Sequence, residues 1–68
     1  MGRRFFVKIN TFGKPIRFIE LEMKKKPTLN RIKREAQSKA PSLGKQTFEL
    51  YEVISTRHGA YHARLDLR

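Results

Sequence analysis

The sequence predicts an α+β domain in which one helix packs on a four-stranded sheet, in the element order ββαββ. Three observations lead to this fold class: an alternation of apolar and polar residues near the N-terminus, a helical apolar stripe in the middle and a second alternation at the end. A chain of 68 residues is long enough for one domain with a small core. Residues 1–68 are therefore expected to form a single small basic domain.

The first predicted strand covers residues 3–10, where side chains alternate with period two. One set is apolar and should face the core: Phe5, Val7 and Ile9. The other set combines positive charge with an aromatic ring: Arg4, Phe6 and Lys8. We expect this strand to lie at the centre of the sheet, with the second set on an open face.

The second predicted strand, residues 16–23, follows a turn that contains Gly13, and it changes phase within its own length. Ile16 and Phe18 share one parity, whereas Ile19, Leu21 and Met23 share the other. A bulge near residues 18 and 19 would place both sets on the core face, and we favour this interpretation. The alternative is a shifted strand start, which would leave Phe18 outside the core.

A single helix is predicted to begin at Thr28, whose hydroxyl can cap the first turn, and to end before Pro41. Its apolar stripe has helical spacing and is narrow: Leu29, Ile32, Ala36 and Ala40. On the opposite side, Glu35 lies four residues from both Arg31 and Lys39, a spacing that favours ion pairs along a helix.

Two further strands are expected after the helix. Residues 46–54 are strand-like, but their parity is ambiguous, with apolar residues on both faces. Residues 55–59 include Gly59 and form the predicted hairpin loop. The last strand alternates clearly. One set is mostly apolar: Tyr61, Ala63, Leu65 and Leu67. The other set is polar: His62, Arg64, Asp66 and Arg68.

Several short segments resemble ubiquitin and its relatives. The resemblance rests on residues 6–8, 13–14, 16 and 20–22 for the opening hairpin, 28–29 and 32–33 for the helix start, and 65–68 for the last strand. It implies a β-grasp fold, in which a mixed sheet clasps one helix and the first and last strands are parallel neighbours. The family's Gly-Gly tail is not found after Arg68, so the resemblance does not imply conjugation to other proteins.

Charge and composition limit the function. Sixteen Lys and Arg against six acids give a formal net charge of +10, and the excess lies entirely in residues 1–45. Such a bias indicates attraction to a polyanion. The absence of cysteine fits a reducing compartment. With no signal peptide and no apolar run of membrane-spanning length, we expect a cytoplasmic protein.

Catalysis and metal binding are both disfavoured. Only His58 and His62 could act as bases at neutral pH, and no activated nucleophile or phosphate-binding loop accompanies them. Their spacing of four residues would separate them by roughly 13 Å in an extended chain, and no third ligand is evident. We expect a protein that is not an enzyme and needs no metal or cofactor.

Nucleic acid is the partner that the pattern favours, with RNA or single-stranded DNA preferred to duplex. If the last strand lies beside the first, an exposed Phe6 would stand among cations on the open face, where unpaired bases could stack. The lysine run and the outer helix face would extend the phosphate contacts. The candidate residues are Arg4, Phe6, Lys8, Lys24, Lys25, Lys26, Arg31, Arg34, His62 and Arg64.

Other interpretations remain open at this point. Phe6 could be covered by a partner or by the stems of its basic neighbours, and the lysine run could be a solvated connector. A different function class is an adaptor that binds an acidic protein, as many ubiquitin-like domains bind partners. Charge would then steer association, and Phe6, Tyr51 or Val53 would supply contact energy.

Overall fold

The computed structural model describes residues 2–67, and in this range it contains one helix and a four-stranded antiparallel sheet. The elements are β1 (Arg3–Thr11), β2 (Arg17–Met23), α1 (Leu29–Lys39), β3 (Gln46–Thr56) and β4 (Gly59–Leu65). Their order along the chain is the predicted one, and the α+β class is confirmed. Across the sheet the strands follow the order β2-β1-β3-β4.

β1 lies inside the sheet, as its alternation predicts, and it supplies the centre of the core. Phe5, Val7 and Ile9 are almost completely buried on the side that the helix covers. The other buried apolar residues come from β2, α1, β3 and the residue after the helix: Ile19, Leu21, Ile32, Ala36, Ala40 and Leu50. The predicted position of β1 inside the sheet and the predicted burial of Phe5, Val7 and Ile9 are therefore confirmed.

The predicted mixed sheet, with the first and last strands as parallel neighbours, is wrong. β1 pairs antiparallel with β3 from Arg4 opposite Val53 to Thr11 opposite Gln46, and β4 lies outside β3 at the edge. A hairpin can place its second strand on either side of the first. Here β3 carries Leu50, which lies opposite Val7 and is completely buried, whereas Leu65, the β4 residue opposite Leu50, is only partly buried at the edge of the core.

The predicted bulge in the second strand is also wrong. β2 pairs with β1 in continuous register, from Arg17 opposite Ile9 to Met23 opposite Arg3. The strand starts one residue later than predicted, which is the alternative interpretation of its parity. Ile19 and Leu21 face the core, and Phe18 is 60% exposed on the other face. The uninterrupted ladder with β1 retains every backbone pairing, which a bulge would break locally.

The helix has the predicted ends. The hydroxyl of Thr28 accepts a hydrogen bond from the backbone N–H of Arg31 at 3.2 Å, which satisfies one free donor of the first turn. Ala40 caps the other end before Pro41. Glu35 pairs with Arg31 at 3.2 Å and with Lys39 at 3.3 Å, so both predicted i,i+4 contacts form.

The β3–β4 hairpin projects beyond the other two strands. β3 continues to Thr56, three residues past its last pairing with β1, and turns through Arg57 and His58 into β4. This gives the molecule an elongated shape of 41 × 21 × 20 Å. β4 ends at Leu65, earlier than predicted, although Leu67 still packs against the core. The predicted contribution of Arg68 lies outside the described residues.

Candidate nucleic-acid interface

The sheet face opposite the helix brings together five of the predicted site residues. Strand pairing places Phe6 opposite Tyr51, which in turn lies opposite Arg64, and it places Arg4 opposite Val53, which lies opposite His62. Residues paired in this way project from the same face of a sheet. The predicted members of this open face are Arg4, Phe6, Lys8, His62 and Arg64. They share it even though β3 separates β1 from β4.

An aromatic cluster occupies the middle of the open face. The ring of Phe6 stacks on that of Tyr51, with 4.9 Å between centroids and 13° between planes. The rings of His62 and Phe18 approach Phe6 edge-on, at 4.7 Å and 5.9 Å between centroids. Phe6 is therefore half-buried among other rings, and it offers less surface for stacking than a free ring would.

The charges of the open face are balanced, which the sequence did not predict. Glu49 lies 3.8 Å from Lys8 and 3.7 Å from Arg64, and it accepts a 3.0 Å hydrogen bond from the hydroxyl of Tyr51. This hydrogen bond raises the pKa of Tyr51 above its ordinary value, and burial and the charge of Glu49 add to it.

The two edge acids complete this balance, because Glu20 and Glu22 lie opposite Phe6 and Arg4 in the ladder. The strand residues that project from the open face within the described chain thus comprise three bases and three acids: Arg4, Lys8, Arg64, Glu20, Glu22 and Glu49. Attraction of the open face to a polyanion is correspondingly weak.

The other five predicted residues lie on the connector between β2 and α1 and on the outer side of the helix. They are Lys24, Lys25, Lys26, Arg31 and Arg34. From residue 24 to residue 39 the chain holds seven bases and one acid. We call this part of the molecule the connector–helix surface. It lies on the helix side of the sheet and carries most of the excess charge.

A surface depression of about 360 Å³ lies within the connector–helix surface. Cations and neutral polar groups line it, together with one methionine: Met23, Lys25, Lys26, Thr28, Asn30, Arg31 and Arg34. Arg31 is paired with Glu35, but within residues 2–67 Lys25, Lys26 and Arg34 form no ion pair. The depression therefore combines several available positive charges with a lining that contains no carboxylate.

Glu35, the one acidic residue of α1, already forms ion pairs with Arg31 and Lys39. Hydrogen bonding from Lys39, assisted by the charges of Lys39 and Arg31, lowers the pKa of Glu35 below its ordinary value. Across the sheet Arg3 donates two 2.7 Å hydrogen bonds to Glu52 and lowers the pKa of that carboxyl in the same way. These acids stay ionised near neutral pH, but each one offsets a base that is close to it.

Three exposed aromatic residues were not among the predicted site residues: Phe12, Phe18 and, on β4, Tyr61. Phe18 lies on the open face because β2 starts later than expected. Phe12 follows β1 in the turn and is 90% exposed. A sequence signal for Phe12 exists: a large apolar residue stands between the end of a strand and a turn glycine, where the sheet offers it no core position.

Comparisons with protein-family models, with curated proteins and with solved structures find no match to this chain. The open face and the connector–helix surface are the features of the molecule that bear on its function. Within residues 2–67, the structure has no helix that is both long enough and apolar enough to cross a membrane.

Proposed function

We propose that this protein is a small non-enzymatic module that binds nucleic acid, with RNA or single-stranded DNA preferred to duplex. The observation that carries the proposal is the connector–helix surface, where seven bases and one acid occur within sixteen consecutive residues from 24 to 39. Phosphate groups along a nucleic-acid backbone are the regularly spaced anions that such a surface fits.

The chemistry of the depression supports phosphate contacts in particular. Arg34 presents a planar guanidinium that can hold two phosphate oxygens at once, and Lys25 and Lys26 add compact positive charges. The amide of Asn30 and the hydroxyl of Thr28 line the same depression and are groups that commonly contact phosphate oxygens. In this proposal the connector–helix surface makes the main electrostatic contacts.

The open face has a secondary role in the proposal. Its balanced charges give little long-range attraction, but Arg4 has no ion pair within residues 2–67 and lies at the end of the sheet where β2 leads into the lysine run. A backbone that binds the connector can therefore reach Arg4. Phe18 adds an accessible ring to this face.

A salt titration tests the proposal directly. Affinity for a random 15-nucleotide single strand should fall steeply between ~50 and 300 mM salt, because each phosphate contact releases a counterion. The double variant Lys25→Gln/Arg34→Gln should bind more weakly, and its slope of log affinity against log salt should be shallower by about 1.4, at roughly 0.7 per lost contact.

A matched control separates local contacts from net charge. The variant Arg17→Gln/Arg57→Gln removes the same two charges from exposed positions outside the connector–helix surface. It should keep nearly the wild-type slope. Equal losses in both double variants, or affinity that does not change with salt, would contradict the proposed interface.

A further inference from the structure

The turn between β1 and β2 presents an aromatic ring that the fold does not use. Phe12 is 90% exposed, and Leu43 in the loop after the helix is fully exposed beside it. Both line a depression of about 460 Å³. Single exposed apolar residues are common on protein surfaces. An almost fully exposed phenylalanine beside a surface depression, however, indicates a binding site.

The backbone that carries Phe12 is fixed on both sides. Its N–H donates a 3.3 Å hydrogen bond to the carbonyl oxygen of Lys45, which joins the turn to the loop after the helix. The N–H of Lys14 donates to the carbonyl oxygen of Thr11 at 3.0 Å, and Gly13 supports this turn with a φ of 75°. The backbone at Phe12 is therefore held in place, which reduces the backbone entropy lost when a ligand binds.

The groups around the ring are complementary to a nucleotide. Phe12 also lines a second depression, of about 330 Å³. The two depressions share Phe12, and their polar lining consists of lysines and neutral groups: Asn10, Lys14, Gln37, Ser42, Lys45 and Thr47. No carboxylate lines either one. We call Phe12, Lys14, Leu43 and Lys45 the Phe12 platform.

We propose that the Phe12 platform binds an unpaired nucleobase, which stacks on the Phe12 ring while the neighbouring phosphates contact Lys14 and Lys45. This inference rests on the proposed function and assigns single-stranded nucleic acid as the class of ligand. Stacking on an exposed ring accepts any base, because every base has a π face. The amides of Gln37 and Asn10 each line one of the two depressions beside the ring, and an amide can both donate to and accept from a base edge. A paired base within a duplex is not available to the ring.

The charge around the ring distinguishes a nucleotide from an apolar protein segment. A protein-docking surface has an apolar centre with charged groups depleted from it. Here the three apolar side chains, Phe12, Pro41 and Leu43, share the depressions with two lysines and four neutral polar groups. The platform thus matches a ligand that is aromatic and anionic within a few ångströms, as a nucleotide is.

Tryptophan fluorescence provides a specific test, because the chain contains no tryptophan. In the variant Phe12→Trp, saturation with oligo(dT) or oligo(U) of 15 nucleotides should quench the emission strongly, since thymine and uracil stack on indole. A blunt duplex of equal length should quench it little. The control Tyr61→Trp places the reporter at an exposed position of β4 that lies outside the open face, the connector–helix surface and the platform, so weak quenching is expected there.

Loss of the ring gives the second readout. Phe12→Ala should weaken single-strand binding by roughly 10- to 100-fold and change duplex binding little. It should leave the salt slope unchanged, because no charge is removed. Unchanged single-strand affinity in Phe12→Ala, or an unquenched Phe12→Trp at saturation, would overturn the platform and leave the phosphate interface intact.

Two other results separate the remaining explanations. If wild-type protein binds no oligonucleotide at ~50 mM salt, the proposed function fails and the platform fails with it. If the free protein forms a dimer in sedimentation experiments and Phe12→Ala abolishes that dimer, the exposed ring is a contact between two copies. That outcome would also overturn the platform.

Discussion

Leu50 shows how much of the stability of this small domain depends on single side chains. It has no exposed surface, and it belongs to the core cluster formed by β1, β2 and the helix. We expect Leu50→Ala to reduce the free energy of unfolding by about 2–5 kcal/mol, because the change removes buried methyl groups and leaves a cavity. Urea unfolding followed by circular dichroism measures this loss.

Leu43→Ala is the natural control for that experiment, since it deletes the same atoms from a fully exposed position. Its free energy of unfolding should stay within about 0.5 kcal/mol of the wild-type value. Equal midpoints for the two variants would mean that Leu50 is not in the core.

At the level of single residues, the sequence predicted those positions that an unbroken alternation defines. Phe5, Val7 and Ile9 were correct because one parity alone buries all three. Phe18 was wrong because a phase change has two solutions, and the choice depends on the register with β1. The position of Glu49 between two bases could not be predicted either, since cross-strand neighbours follow from pairings that the sequence does not specify.

At the level of secondary-structure elements, the contribution of the Glu35 ion pairs to the stability of the fold can be tested through its dependence on pH. Because its partners lower the pKa of Glu35 in the folded state below the ordinary value of 4.5, the charged pairs stabilise the fold above that value. This stabilisation is lost as the pH falls through the lowered pKa. We therefore expect Glu35→Gln to be less stable than wild type at pH 7 and to match it more closely at acidic pH.

Thermal unfolding between pH 7 and pH 3 measures this convergence. Glu22→Gln is a matched control, because Glu22 is exposed and forms no ion pair within residues 2–67. Its stability relative to wild type should change less over the same range. A constant difference between Glu35→Gln and wild type at every pH would show that the helix pairs contribute nothing.

The arrangement of elements was predictable only in part. The two ends of the helix could be predicted from Thr28 and Pro41, and the order of strands and helix along the chain could be predicted from the turn residues between them. The position of β4 did not follow, because the two-residue turn at Arg57 and His58 fixes antiparallel pairing with β3 but does not decide on which side of β3 the strand lies. The strand order depends on whether β3 or β4 pairs more favourably with β1.

The whole molecule carries a formal charge of +10, and this charge opposes its own folding. The five ion pairs formed within residues 2–67 lie at least partly exposed, and such pairs contribute little each. Repulsion should therefore outweigh them at low ionic strength. We expect the Tm of the free protein to rise by several degrees between ~10 and 200 mM sodium chloride, as the Debye length shortens to about 7–8 Å.

Differential scanning calorimetry checks this expectation, with sodium chloride chosen because it is a weak stabiliser of proteins by other routes. A Tm that falls with added salt would show that the ion pairs outweigh the repulsion. In that case Arg3 and Glu52, which are joined by two short hydrogen bonds, would be the first pair to substitute.

The balanced open face and the basic connector–helix surface lie on opposite sides of the same sheet, so the excess positive charge is concentrated on the helix side. The field of a polyanion exerts a torque on this uneven charge distribution and turns the helix side toward the polyanion before contact. In the proposed mode of nucleic-acid binding, charged residues orient the protein and an aromatic ring holds the ligand. Neutralising charges near Arg34 would slow association, whereas removing a ring such as Phe12 would mainly hasten dissociation.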